Sequence, residues 1–193
     1  VGYIGLAHYL ARNHVKFEEK EAWQKVHDLS EAFQFFLLKA SNKLAKERGA
    51  CEYFHRTKYS DGILPIDTYK KDVDTIVGHK LNYDWDTLRK DILEHGLRHS
   101  TLSAQMPSES SSVVDMPNNE GYINVVAVMQ KFFDQGISGN WSYNPTHYPD
   151  NEVPMSQMIN DLLTTYKMGW KTSYYQNTYD YKIDPNEIPD DVP

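Results

Sequence analysis

The chain has one cysteine in 193 residues, and Cys51 alone cannot make an internal disulfide framework or a thiolate zinc site. That poverty fits a reducing compartment, and a lone thiol just past Gly49 and Ala50 is expected to be structural. Long hydrophobic runs are absent too. The longest, "INVVAVM" at Ile123 to Met129, falls far below the roughly 18 residues of a membrane span. No basic-then-apolar leader opens the chain, so it reads as soluble, unexported and cytoplasmic, with no membrane partner. Positive charge is the third shortage: 20 Lys and Arg against 27 Asp and Glu give a net charge of -7. The lysines are scattered, so there is no basic face for a nucleic-acid backbone. What is present, 40% hydrophobic and 24% charged residues, is ordinary globular composition and enough for one domain with a sizeable core.

The clearest helical pattern runs from about Glu31 to Arg48. Ser30 is a plausible N-cap, Phe33, Phe36, Leu37, Ala40 and Leu44 recur at helical spacing towards a core, and Gly49 supplies the stop. Ile4 to Leu10 reads as part of an earlier helix. After the Gly- and Pro-punctuated "GILPIDTYKK", three helix-then-strand pairs follow. They are Trp85–His95 with strand Ser100–Met106, Tyr122–Phe133 with strand Ser138–Tyr143, and a helix opened by Pro154 with strand "KTSYYQNT". In the last helix Met155, Met158, Ile159, Leu162 and Tyr166 share one face before Gly169. Helices alternating with strands predict an α/β sheet or barrel.

Four stretches could carry chemistry. "MPSESSS", Met106 to Ser112, follows a strand, and its hydroxyls and amides could cradle an anion; a solvated serine loop has the same composition. Glu94, His95 and His99 have a metal-like spacing, but Gly96 should break the helix between the histidines, which makes the match accidental. "NWS" at Asn140 fits a glycosylation acceptor with nothing else pointing to secretion. Tyr174 and Tyr175 are adjacent in an expected strand, where neighbours point to opposite faces; with 14 tyrosines in the chain, one core and one surface phenol is the plain reading.

Taken in order, "FFLLKASNKLAKERGAC", "DGILPIDTYKKDVDTI", "HGLRHSTLSAQMPSESSS", "GYINVVAVMQKFFDQGIS" and "VPMSQMINDLLTTYKMGWKTSYYQNT" resemble the carboxy-terminal part of the large (alpha) subunit of class I ribonucleotide reductase, over nearly the whole chain. The resemblance implies an α/β fold, a partial ten-stranded α/β barrel across residues 1–183, followed by an acidic flexible tail at 184–193. It implies reduction of ribonucleoside diphosphates to deoxyribonucleoside diphosphates by radical chemistry. Pro107, Ser108, Glu109, Ser110 and Ser111 would bind the substrate phosphates, with Glu109 supporting the loop. Tyr174 and Tyr175 would relay an electron hole between the metal-bearing small (beta) subunit and a cysteine radical, Tyr174 nearer the cysteine and Tyr175 nearer the interface. Such a relay needs the rings close together, so the strand there should be irregular.

The same resemblance assigns the radical cysteine, its reducing partners, the catalytic asparagine and glutamate and the allosteric sites to sequence upstream of Val1. The partners implied are therefore the substrate, the small subunit and a complementary upstream large-subunit polypeptide. No metal and no cofactor are expected on this chain; the small subunit would supply the radical and an external dithiol the reducing equivalents. Two departures accompany the match. Several tens of residues that family members carry between "SESSSVV" and "DMPNNEGY" have no counterpart here, and "DPNEIPDDVP" carries no cysteine pair. A non-catalytic module that binds the small subunit or another large-subunit chain is the alternative.

Overall fold

In a computed structural model, described here for residues 1–106 and 117–178, the chain is mainly helical around a two-stranded parallel sheet. The helices are α1 (Leu6–Arg12), α2 (Lys20–Arg48), α3 (Pro65–Thr68), α4 (Asp74–Val77), α5 (Trp85–His95), α6 (Glu120–Gln130) and α7 (Met155–Met168). The strands are β1 (Ser138–Tyr143) and β2 (Thr172–Thr178), and α7 connects them. The tail expected at 184–193 lies outside the described residues.

Helix α2 is the frame. It begins at Lys20, well before the expected Glu31, so Ser30 is no N-cap: it is buried mid-helix with its hydroxyl 3.0 Å from that of Tyr3. The buried stripe is also offset from the one expected, since Phe36 and Ala40 are exposed while Phe35, Leu38 and Ala45 face inward. The cause is polar. Glu31, Gln34, Ser41 and Asn42 occupy inward positions that a count of apolar residues passes over, and each has hydrogen-bonding partners that make burial tolerable. The Glu31 carboxylate accepts from the Asn82 amide (2.7 Å), Asn82 Nδ2 (2.9 Å), the Tyr83 amide (3.2 Å) and Trp85 Nε1 (3.0 Å). Asn42 Nδ2 donates to the carbonyls of Asp91 and Gly96, both at 2.9 Å. These bonds fasten α5 to α2.

Apolar packing completes the frame in two clusters. One joins Leu10, Trp23 and Val26 to Val125, Val126 and Phe133; the other joins Phe35 and Leu38 to Trp85, Ile92 and Leu97. Beside them Lys131, almost fully buried, donates to Asp74 Oδ1 at 3.0 Å, and the Tyr69 hydroxyl donates to the same carboxylate. Burial opposes ionisation of Asp74, but the Tyr69 and Lys131 hydrogen bonds outweigh it and hold its pKa below the ordinary carboxylate value.

Helix α5 keeps its expected bounds, with Asp84 Oδ1 accepting the Thr87 N–H at the cap. Residues 100–106, expected as a strand, form none. Their backbone partners come from a carboxylate and from the first residues of the chain: Asp134 Oδ2 accepts the Leu102 (2.7 Å) and Ser103 (3.0 Å) amides, and the Ala104 amide donates to the Val1 carbonyl. β1 matches its expected span, so two of three expected strands are present.

Helix α7 has the expected face but turns it outward. Met155, Ile159, Leu162, Leu163 and Tyr166 are exposed, while Asp161 and Thr165 are buried. Asp161 is paid for locally: it accepts from the Tyr143 hydroxyl (2.9 Å), Asn119 Nδ2 (2.9 Å) and Gln157 Nε2 (2.8 Å). Burial and the neighbouring Asp161 raise the Tyr143 hydroxyl well above the ordinary tyrosine pKa.

Candidate functional site

The candidate site is the second strand, and its geometry starts at the end of α7. Gly169 takes a left-handed conformation (φ 83°, ψ 26°) that stops the helix, and the chain turns into Trp170. The indole then lies over Gly139 of β1, where a Cβ would stand 2.1 Å from a ring carbon, so only glycine fits. Trp170 Nε1 donates to the Ile123 carbonyl of α6 at 3.0 Å, which fixes the start of β2 against both β1 and the core.

From there Ser138 pairs with Thr172 and Gly139 with Ser173, and pairing resumes at Trp141 with Gln176. Tyr174 and Tyr175 therefore face the single residue Asn140. This is a β-bulge, two residues against one, and it breaks the alternation that sends adjacent side chains to opposite faces. The two rings come to 4.2 Å between centroids at 59°. The Tyr175 amide donates to Asn140 Oδ1 at 3.2 Å, and Asn140 is buried. Close rings and an irregular strand, both expected of this pair, are present.

Chemically, the arrangement offers two phenols to each other and to the outside. Tyr174 is 54% and Tyr175 59% exposed, and every residue of β2 is exposed. A hydrogen bond with the Tyr174 hydroxyl, and then its charge when ionised, raise the Tyr175 pKa above the ordinary tyrosine value. A phenol can give up one electron and one proton together, and here two such groups have their rings in contact.

The expected phosphate residues, Pro107, Ser108, Glu109, Ser110 and Ser111, lie outside the described residues. The segment leading to them is described, and Asp134 organises it. Besides the two backbone amides, its carboxylate accepts from Gln34 Nε2 (3.0 Å) and the Tyr59 hydroxyl. Burial first, then the charge of Asp134, pushes Tyr59 far above its ordinary pKa. Sequence reasoning missed Asp134; an aspartate directly after the apolar run of α6, in "KFFDQG", was the available signal.

Glu94, His95 and His99 are not gathered as ligands, because Gly96 breaks the helix as expected and His99 Nδ1 sits 3.0 Å from Ser41 Oγ. Among the described residues the one metal-like grouping is His27, Asp28 and Glu31, a cluster the sequence reading passed over. Four N–H donors already occupy Glu31, so it reads as a structural hub. Cys51 is half-buried, and its amide donates to the Leu97 carbonyl at 2.8 Å. Asn140 of "NWS" is turned inward on β1. Among the described residues no helix is long and apolar enough to cross a membrane.

A family model described as "Ribonucleotide reductase, barrel domain" matches residues 1–122 and 115–176. The chain belongs to this ribonucleotide reductase family. It is 45% identical to a ribonucleoside-diphosphate reductase subunit alpha of Haemophilus influenzae, across 99% of this chain and 31% of the relative. It is likewise 45% identical to the ribonucleoside-diphosphate reductase 1 subunit alpha of Escherichia coli, across 93% of the chain and 29% of the relative. The corresponding subunit of Enterobacteria phage T4 is 38% identical, across 93% of the chain and 29% of its own length. The chain thus spans about 29–31% of these relatives. The family match comes in two pieces that meet at residues 115–122, and the alignment with the Haemophilus protein runs over 233 positions against 193 in this chain. Both agree with a segment missing after the serine loop.

Proposed function

We propose that this chain is the carboxy-terminal portion of a class I ribonucleotide reductase large subunit and acts in reducing ribonucleoside diphosphates to deoxyribonucleoside diphosphates. The observation that carries the reading is the tyrosine pair: adjacent phenols on a bulged, exposed strand with ring centroids 4.2 Å apart. In the relay, the small subunit takes one electron from Tyr175 and the exposed phenol releases its proton to solvent, leaving a phenoxyl radical on Tyr175. One electron and one proton then pass from the Tyr174 hydroxyl to the Tyr175 oxygen, restoring Tyr175 and leaving the radical on Tyr174. From there it would oxidise a cysteine thiol of the upstream polypeptide. Pro107 to Ser111 would hold the substrate diphosphate through hydroxyl and amide donors, and an external dithiol would restore the reducing cysteines. The chain itself needs no bound metal for these roles.

On this reading residues 1–183 are one part of a ten-stranded α/β barrel, with 184–193 as a tail, and the protein acts in the cytoplasm. The β1–α7–β2 unit, with parallel strands joined by a helix, supports the barrel. So do the exposure of all of β2 and the outward apolar face of α7, surfaces suited to cover by the upstream polypeptide or the small subunit. A pure binding module would use that face but has no need of two phenol rings brought together by a bulge.

The test is reconstitution. The complete large subunit carrying this sequence, mixed with small subunit, a ribonucleoside diphosphate and a dithiol, should form deoxyribonucleoside diphosphate, and this chain alone should form none. Product from the isolated chain would reject the assignment. Alanine at both Ser110 and Ser111 should weaken diphosphate binding by about 0.5–1.5 kcal/mol per hydrogen bond lost; unchanged affinity would make the loop a plain solvated turn.

A further inference from the structure

We infer that Asn140 is a positioning residue for the tyrosine relay, setting the bulge that brings Tyr174 and Tyr175 onto one another. The inference rests on the relay reading and deepens it. A bulge leaves the extra residue without its place in the ladder, and an unmatched amide in a strand must find another acceptor. Here the acceptor is a side chain: Asn140 Oδ1 takes the Tyr175 N–H at 3.2 Å.

Three features show that this position is built for the task. Asn140 is the single residue standing opposite both tyrosines. It is only 7% exposed, so its amide is held by packing rather than free to turn. Its neighbour Gly139 lies pinned beneath Trp170, whose indole is tied to the Ile123 carbonyl, so the strand cannot slide to restore regular pairing. With pairing fixed at Ser173 and resumed at Gln176, the intervening backbone has slack for one extra residue, and Asn140 decides how that slack is taken up. Burial also explains why "NWS" is not a usable sugar acceptor here: the Asn140 side chain, whose amide nitrogen would carry a sugar, is turned inward.

An asparagine serves better than an apolar residue because it replaces the missing ladder acceptor. Aspartate keeps an acceptor oxygen at the same place. Alanine removes it, and glutamine carries it one methylene too far. With the acceptor gone, the Tyr175 amide must find another partner, and the two bulge residues settle into a different backbone conformation that no longer holds the two rings together. The relay would then lose contact without losing either phenol.

The experiment uses the complete large subunit with its small subunit. Fluorine-19 NMR of 3-fluorotyrosine at position 175 reports the ring pair through its chemical shift and its titration, and turnover is measured on the unlabelled variants. Asn140→Ala should move the fluorine signal and bring its titration down towards that of an isolated tyrosine. It should lower kcat by about a hundredfold, the scale of a misplaced reacting group, with KM for the diphosphate unchanged. Asn140→Asp should restore both readouts. Should the alanine variant not fold, Asn140→Gln makes the same test with polarity retained. A ring pair unchanged in Asn140→Ala or Asn140→Gln overturns the positioning role, whatever turnover does. A separated ring pair with normal turnover instead overturns the relay reading on which that role rests.

Discussion

Helices α2 and α7 both bury polar residues, and they do so with opposite results. Helix α2 places Glu31, Gln34, Ser41 and Asn42 inward together with Phe35 and Leu38, and α5 and the segments around it meet most of its buried polar groups, Gln34 Oε1 and His27 Nε2 excepted. Helix α7 buries Asp161 and Thr165 against β1 and leaves Ile159, Leu162, Leu163 and Tyr166 outside. The first region finishes itself. The second spends its hydrogen bonds on Tyr143 of β1, Asn119 and its own Gln157, and leaves its apolar side chains uncovered in this chain. Beside it, β2 is exposed along its whole length and carries the tyrosine pair.

The comparison can be broken most severely in the self-contained region. Lys131 is 1% and Asp74 13% exposed, and removing one member of a buried pair leaves the other uncompensated. Asp74→Ala should therefore cost about 3–5 kcal/mol of stability in urea unfolding of the isolated chain. The pH dependence follows from the depressed Asp74 pKa. Its contribution is present above the ordinary carboxylate value of about 3.9 and is lost as pH falls through the lower folded value. Asp74→Asn should remove that part of the acid sensitivity.

A smaller effect is expected where the two regions meet. Gly139→Ala drives a methyl group into the Trp170 ring, and overpacking of this kind costs about 1–3 kcal/mol. It should also disturb the fluorine signal at position 175, because Trp170 anchors the start of β2. The smallest loss belongs to the outward face. Leu162→Gln, at a position 51% exposed, should change the stability of the isolated chain by less than about 0.5 kcal/mol. In the complete assembly the same substitution should weaken packing or subunit association. A large loss in the isolated chain would show that α7 is packed after all.

Much of this was legible in sequence, for identifiable reasons. α5 carries an aspartate cap and a glycine stop around one apolar face, and both ends were readable. β1 and α7 were placed by strand composition, Pro154 and Gly169. The length of α2 was hidden because its first turns are charged and its inward positions are partly polar, so the periodic apolar signal begins only near Phe33. The direction of α7 was hidden because an apolar face says that something covers it, not that the cover lies in the same chain. The segment 100–106 looked like a strand by composition, yet Asp134 and the first residues of the chain meet its backbone groups. At the site, resemblance singled out Tyr174 and Tyr175, while the bulge that unites them depends on Asn140 and Gly139, some 35 residues earlier, and no local pattern announces it.

The relay is tested most directly by removing one hydroxyl at a time. Phenylalanine keeps the ring and its packing but cannot form a phenoxyl radical. In the complete large subunit with its small subunit, Tyr174→Phe and Tyr175→Phe should each abolish turnover, while folding, diphosphate binding and subunit association stay near normal. The same replacement at Tyr179 or Tyr181, outside the matched motif, should be tolerated. Near-normal turnover in either Tyr174→Phe or Tyr175→Phe would contradict the account and reduce the pair to packing.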